Sequence, residues 1–295
     1  MLGGCSVVER VGVKVLARHA TLPEAQITRD IPYVRGSDLQ KHRLDLFRPS
    51  GKGWPVWVFI HGGSWDSGDK GLESGGEDIY GNIGRFYANQ GIGVAVINYR
   101  LLPGVTWREQ LDDVAKAVGW VGKSIAKYGG DPSRIYVGGH SAGSHLASYV
   151  VLNRGLAQKH HLPRLAGAIC VSGAAYDMSD EETYRLGNKP HFYAERFAEN
   201  GNNPDWKHNA SAAAYATRNA PPFLLLYAEG DSASLRRQSQ HMHDILDSKG
   251  VQNRIVMLPG ESHIRIVLAL TRSDKNAAPA ILAFIRSTGG TAGMR

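Results

Sequence analysis

The chain has 295 residues, 42% of them hydrophobic and 21% charged, with 34 Lys and Arg against 27 Asp and Glu for a formal net charge of +7. That balance is ordinary for a folded globular protein and excludes a disordered, collagen-like or coiled-coil chain. The positive charge is spread along the sequence without a run of five like charges, so nucleic acid is not an expected partner and only a mild preference for anionic ligands follows.

Residues 1–25 show no clear period and read as a tail or lead-in segment. Within them Leu2-Gly3-Gly4-Cys5 resembles the lipobox at which bacterial lipoproteins are cleaved and acylated, without the charged and apolar regions that should precede it. As the remnant of such a signal it would put a lipid anchor on Cys5 and the protein in the periplasm or on a membrane; as a chance match it leaves a cytoplasmic protein. From about Ile27 strands alternate with helices. Residues 42–47 alternate apolar and polar, as a half-buried strand does. Residues 55–60, 93–98, 134–138, 167–171, 223–227 and 254–258 are near-continuous apolar runs, the pattern of parallel strands covered on both faces. Helical spacing marks 107–127, where Leu111, Val114, Ala115, Val118 and Val121 share a face, and also 142–152, 235–249 and 275–287. The apolar runs fall short of the roughly 18 residues of a membrane helix, so no transmembrane segment is expected. Cys5 and Cys170 cannot make a disulfide framework, and Cys170 sits in an apolar run that reads as core.

This alternation predicts one α/β domain over 26–288, with a mostly parallel central sheet and helices on both faces, and a short C-terminal tail at 289–295. Residues 174–219 break the pattern. They are polar, aromatic-rich and without a clear strand, and read as a cap-like excursion over the strand C-termini. Tyr176, Tyr184, Phe192, Tyr193 and Phe197 in it would form either an apolar lid or a small core of their own.

Gly139-His140-Ser141-Ala142-Gly143 carries the strongest chemical signal. It follows a strand and opens a helix, the setting of a nucleophile elbow whose strained turn thrusts the Ser141 hydroxyl clear of the sheet. The Ala142 N–H then falls where such enzymes place one oxyanion donor. His61-Gly62-Gly63-Ser64-Trp65 directly follows the strand at 55–60, where a glycine-rich turn can direct N–H groups inward at a developing oxyanion. A serine hydroxyl needs a base to take its proton. His263 fits best among the 12 histidines, because it follows the strand at 254–258 and so reaches the same sheet edge as Ser141. His140 would touch the substrate, His61 would brace its own loop, and Trp65 would wall the substrate pocket or simply pack. The acid should follow the strand at 223–227. Asp231 is preferred over Glu229, with Asp177 and Asp180 as remote candidates and a helix N-cap as the alternative role for Asp231. No C-x-x-C, H-E-x-x-H, P-loop or dinucleotide glycine pattern occurs, so no metal or other cofactor is expected.

The set His61–Trp65, Asn98-Tyr99-Arg100, Asp131–Ile135, Gly139–Leu146, Asp231 and His263 resembles the α/β-hydrolase superfamily, and within it the H-G-G-x-W carboxylesterases related to hormone-sensitive-lipase-type esterases and kynurenine formamidases. The resemblance implies the α/β-hydrolase fold and a catalytic triad of Ser141, Asp231 and His263. It also implies an oxyanion hole of the Gly63 and Ser64 N–H groups joined by Ala142. Ser64 stands where such enzymes mostly carry a third glycine, a change that leaves the backbone donor in place. Hydrolysis of a small-molecule carboxylic ester is the activity expected. Cleavage of an aryl formamide by the same machinery is the alternative, and an inactive hydrolase fold used for binding is the more distant one, disfavoured because every triad member is present.

Overall fold

A computed structural model describes residues 20–288 apart from 75–76 and 188–189, so the Leu2-Gly3-Gly4-Cys5 match and the tail at 289–295 lie outside the described residues. The strands of the main sheet are β1 (Ile27–Pro32), β2 (Arg43–Phe47), β3 (Trp54–Ile60), β4 (Gly93–Ile97), β5 (Gly130–His140), β6 (Gly167–Val171), β7 (Phe223–Gly230) and β8 (Asn253–Ser262). They form one eight-stranded sheet in the order β1-β2-β4-β3-β5-β6-β7-β8. β2 pairs antiparallel with β1 and β4, and every pairing from β4 to β8 is parallel. The helices are α1 (Ile79–Asn89), α2 (Trp107–Tyr128), α3 (Ala142–Leu152), α4 (Arg154–Lys159), α5 (Glu181–Gly187), α6 (Pro190–Phe197), α7 (Trp206–Ala210), α8 (Ala233–Ser248), α9 (Arg265–Ala269) and α10 (Ala277–Thr288). No described helix is long and apolar enough to cross a membrane.

Strand periodicity sorts the core into two layers. In β3, Val56, Val58 and Ile60 join the cluster holding Val114, Val118 and Val121 of α2 and Leu146 and Val150 of α3. Trp57 and Phe59 point the other way, into the cluster with Ile83 and Tyr87 of α1 and Ile281 and Ile285 of α10. Every residue of β3 is buried, which is why its sequence shows a run and not an alternation. The α2 boundaries follow from local chemistry. Thr106 and Glu109 form a reciprocal capping box at its start, and Gly129, at φ 101°, ends it.

The helix expected at 107–127 is present, and α3 has the expected bounds. The helix expected from 235 starts earlier, at Ala233, because Ser232 caps it by accepting the Leu235 N–H. That relieves Asp231 of the capping role. α1 was not legible in the sequence. Gly81, Asn82 and Gly84 dilute its helical spacing, and it is held by Asp78, whose side chain accepts the Gly81 N–H, and by burial of Ile79, Ile83 and Tyr87. The excursion contains α5, α6 and α7 and no strand among its described residues. It is not a loose flap. Phe197 is fully buried and packs edge-on to Trp65, Trp107 and His145, with ring centroids 5.0, 5.7 and 5.4 Å away.

Candidate active site

Ser141 sits between β5 and α3 at φ 55°, ψ −119°, a backbone conformation that a residue with a side chain adopts only under constraint, at a cost of order 1–3 kcal/mol. The neighbouring sheet supplies that constraint. The Ser141 N–H donates to Val171 O at 2.9 Å. The buried Ser144 hydroxyl accepts the Val171 N–H at 2.7 Å and donates to Gly139 O. Gly143 allows the close approach this needs, since a Cβ there would lie 2.1 Å from Ile60 O and 2.6 Å from His61 O.

A continuous hydrogen-bond line runs from this hydroxyl. His263 Nε2 lies 3.0 Å from Ser141 Oγ, and His263 Nδ1 lies 2.7 Å from Asp231 Oδ1. The other Asp231 oxygen accepts from Ser172 Oγ at 2.7 Å and from the Ala228 N–H at 2.8 Å. Burial pushes the Asp231 carboxyl up, but the hydrogen bonds from His263, Ser172 and Ala228 outweigh it and hold the group below the usual carboxylate range. An ionised Asp231 can only accept. The neutral imidazole therefore carries its proton on Nδ1 and turns the Nε2 lone pair toward Ser141, the tautomer a general base requires. The rival acids are committed elsewhere. Glu229 is exposed and accepts the Gly260 N–H at 2.9 Å, Asp177 faces His241 Nε2 at 3.0 Å, and Asp180 pairs with Arg237 at 2.9 Å.

His140 corrects the expectation that it touches the substrate. It is 4% exposed and does not line the cavity at Ser141. Its ring packs 4.7 Å from that of His263, and its Nε2 donates to His263 O at 2.7 Å, so it braces the loop that carries His263. His145 is a second brace, to which no role was given from sequence. Its Nδ1 accepts the Trp65 indole N–H at 3.2 Å and its Nε2 donates to Ala210 O at 2.8 Å, tying the loop after β3 and the excursion to α3.

The loop His61–Trp65 has an unusual division of its backbone polar groups. Each carbonyl in it has a donor. Tyr99 Oη donates to His61 O at 3.1 Å and His61 Nδ1 to Gly62 O at 2.7 Å. The Ser67 N–H donates to Gly63 O at 2.9 Å, Arg196 Nε to Ser64 O at 2.9 Å, and Gln110 Nε2 to Trp65 O at 2.6 Å. The N–H groups of Gly63, Ser64 and Ala142 donate to no acceptor among the described residues. Gly63 is required here, at φ 117° with a Cβ position 2.2 Å from Ser67 O. His61 is buried, is stacked on Tyr99 at 4.4 Å and braces its loop as expected.

Ser141 and His263 open into a cavity of about 320 Å³. Trp65 lines it and is also packed into the core. Tyr184, Phe192 and Tyr193 of the excursion form its aromatic side, with Thr183, Ser232, Ser234 and Leu235 completing it. Tyr176 and Phe197 are core. Among the described residues no group of three His, Cys, Asp or Glu side chains is placed to hold a metal ion.

The buried histidines give the site an acid limit. Burial drives His61 and His145 down to about 4, and burial with the facing His263 drives His140 down to about 3. Below an unfolded value near 6.5 the unfolded chain takes up protons that the folded chain refuses, so stability falls as pH drops from about 6.5 toward 4, by about 2 kcal/mol per histidine at pH 5. Urea midpoints should therefore be flat from pH 7 to 8 in this respect and fall steeply between pH 6.5 and 5. His145→Gln should make that fall shallower, and an equally steep fall in the variant would exclude His145 as a contributor.

The BD-FAE family model matches residues 44–246. Esterase LipQ of Mycobacterium tuberculosis is 30% identical over 271 residues, covering 88% of this chain and 62% of LipQ. The probable isoprenylcysteine alpha-carbonyl methylesterase ICMEL1 of rice, Oryza sativa subsp. japonica, is 36% identical over 134 residues, 45% of this chain and 29% of that protein. The chain thus spans less than two thirds of the length of these curated relatives. Among solved structures, esterase B of Lactobacillus rhamnosis superposes with a TM-score of 0.74 at 20% identity, over 96% of this chain and 90% of that one. At that identity the likeness establishes the fold, which is the α/β-hydrolase fold.

Proposed function

The chain belongs to the BD-FAE family, and from that premise we propose that it is a serine carboxylesterase that cleaves small carboxylic esters through an acyl-enzyme. The observation that carries the reading is the unbroken line Ser141 Oγ···His263 Nε2···Nδ1···Asp231 Oδ1, at 3.0 and 2.7 Å, opening into a cavity. Ser141 attacks the ester carbonyl while His263 takes its proton, and Asp231 stabilises the imidazolium that forms. The unpaired N–H groups of Gly63, Ser64 and Ala142 receive the oxyanion, each worth about 3 kcal/mol in the transition state. His263 then gives its proton to the departing alcohol. Water, activated by the same imidazole, releases the acid and restores Ser141. The unit 26–288 acts as the hydrolase domain, with 174–219 its cap. Relatives named as an esterase and a methylesterase support ester substrates.

A cavity of about 320 Å³ walled by Trp65, Phe192 and Tyr193 suits short acyl groups. On a panel of p-nitrophenyl esters, kcat/KM for the butyrate should exceed that for the laurate by about tenfold or more, and should exceed that for an aryl formamide by a similar factor. A formamide preferred over every ester would overturn the substrate class while leaving the triad in place.

A further inference from the structure

Of the carbonyls that shape the loop His61–Trp65, those of His61, Gly62, Gly63 and Trp65 accept from groups outside the excursion, namely Tyr99, His61, Asp66 with Ser67, and Leu102 with Gln110. The Ser64 carbonyl is different. Its donor is Arg196, which lies in α6 of the excursion, 132 residues away along the chain. This is also where the backbone is least able to hold itself, because Gly63, Ser64 and Trp65 all have positive φ, 117°, 52° and 66°. For the two residues with side chains that conformation costs on the order of 1–2 kcal/mol each. Without an external hold, the peptide joining Ser64 to Trp65 would gain by rotating.

We propose that Arg196 is a positioning residue for the reaction, a clamp by which the excursion holds the Ser64 peptide and thereby the Gly63 and Ser64 N–H groups in their oxyanion-binding arrangement. The proposal rests on the esterase reading above for its consequence, though not for the clamp itself. The guanidinium is built for the task. Nε donates to Ser64 O at 2.9 Å, Nη2 to Asp66 Oδ2 at 2.5 Å and Nη1 to Phe192 O at 3.1 Å. Its carbon lies 3.9 Å over the Phe192 ring, and its side chain is 14% exposed. One planar fork thus fixes two points of the loop after β3 and one turn of α6. A lysine could serve only one of those acceptors well. Phe192, held under the guanidinium, is itself a wall of the cavity. Seating of the excursion and readiness of the oxyanion donors are therefore set by the same side chain.

The test uses the full chain carrying Arg196→Gln or Arg196→Lys, with two independent readouts. Hydrogen exchange over residues 61–68 reports the clamp directly, because the Asp66 and Ser67 N–H groups are protected by Gly63 O inside the same turn. Exchange there should quicken about tenfold in Arg196→Gln while β3 and α3 keep their protection. On p-nitrophenyl butyrate, kcat should fall about 10- to 100-fold with KM within about threefold, and inhibition by phenylboronic acid, which forms a tetrahedral adduct on serine, should weaken in step with kcat/KM. Arg196→Lys should lie between, and millimolar guanidinium should restore part of the Arg196→Gln rate. Unchanged exchange at 61–68 overturns the clamp whether or not the wild-type chain hydrolyses any ester. Faster exchange with unchanged kcat overturns its catalytic consequence, and a rise in KM alone would make Arg196 a pocket residue. If Arg196→Gln loses protection throughout the chain, Arg196→Lys decides by the same criteria. A wild-type chain inactive on every ester defeats the esterase reading and leaves the exchange result to judge the clamp.

Discussion

Ser141→Ala will remove ester turnover almost completely, with kcat on p-nitrophenyl butyrate down by about 10⁴- to 10⁶-fold, and will leave the fold intact. The size of the loss follows from what remains. Unpaired N–H groups at Gly63, Ser64 and Ala142 and the cavity walls are untouched, so the variant still binds ester and still favours a tetrahedral oxyanion over bulk water. Machinery of that kind alone retains a rate about 10³-fold above the uncatalysed reaction, with water attacking in place of serine. KM should accordingly stay within a few fold. Stability should change little, because among the described residues the hydroxyl bonds to His263 alone, and the positive φ at 141 persists with alanine. Loss of labelling by a p-nitrophenyl phosphonate, read by intact mass, would accompany the loss of rate. Turnover within tenfold of wild type, after exclusion of contaminating esterase, would mean that the nucleophile lies elsewhere.

What the sequence revealed and what it hid divide along a physical line. β3 and β6 were legible because strands covered on both faces must be apolar throughout, and α2 because its buried stripe is local. Ser141 was legible because the elbow needs small residues on either side of it, and the 2.1 Å separation from a Cβ at Gly143 to Ile60 O states that need in coordinates. Strand order brought His263 and the acids that follow β7 to one edge, since parallel strands deliver their following loops there, but it left Glu229 beside Asp231. The braces were not legible. Ser172 reaches Asp231 across 59 residues, His145 reaches Ala210 across 65, and Arg196 reaches Ser64 across 132. Such partners carry no local spacing signal. His140 misled for a related reason. Adjacency to Ser141 in the chain suggests a shared site, yet the strand ends at His140, the backbone turns at Ser141 with φ 55°, and the His140 ring is hydrogen-bonded to His263 O and is buried.

Asp231→Asn should cost about 10³- to 10⁴-fold in kcat, more than loss of a charge at this distance would explain, and the reason lies in the oxygen that does not touch His263. Ser172 Oγ and the Ala228 N–H both donate to Asp231 Oδ2. An asparagine at 231 must offer its carbonyl oxygen to those donors, because placing its NH₂ there would set a donor against buried donors. The NH₂ group is then forced to face His263 Nδ1, where a carboxylate oxygen now sits at 2.7 Å. Nδ1 must become the acceptor, the proton moves to Nε2, and the imidazole presents N–H to Ser141 when it should present a lone pair. The variant keeps its geometry and holds the wrong tautomer, so KM changes little while kcat collapses. Ser172→Ala in the Asp231→Asn background removes one of the donors that dictate the amide orientation and should recover part of the rate, a non-additive result that a simple loss of charge would not produce. Glu229→Gln is the control, since Glu229 is exposed and its carboxylate accepts the Gly260 N–H, and its kcat should stay within about twofold of wild type. If Glu229→Gln collapses the rate and Asp231→Asn does not, Glu229 and not Asp231 is the acid of this site.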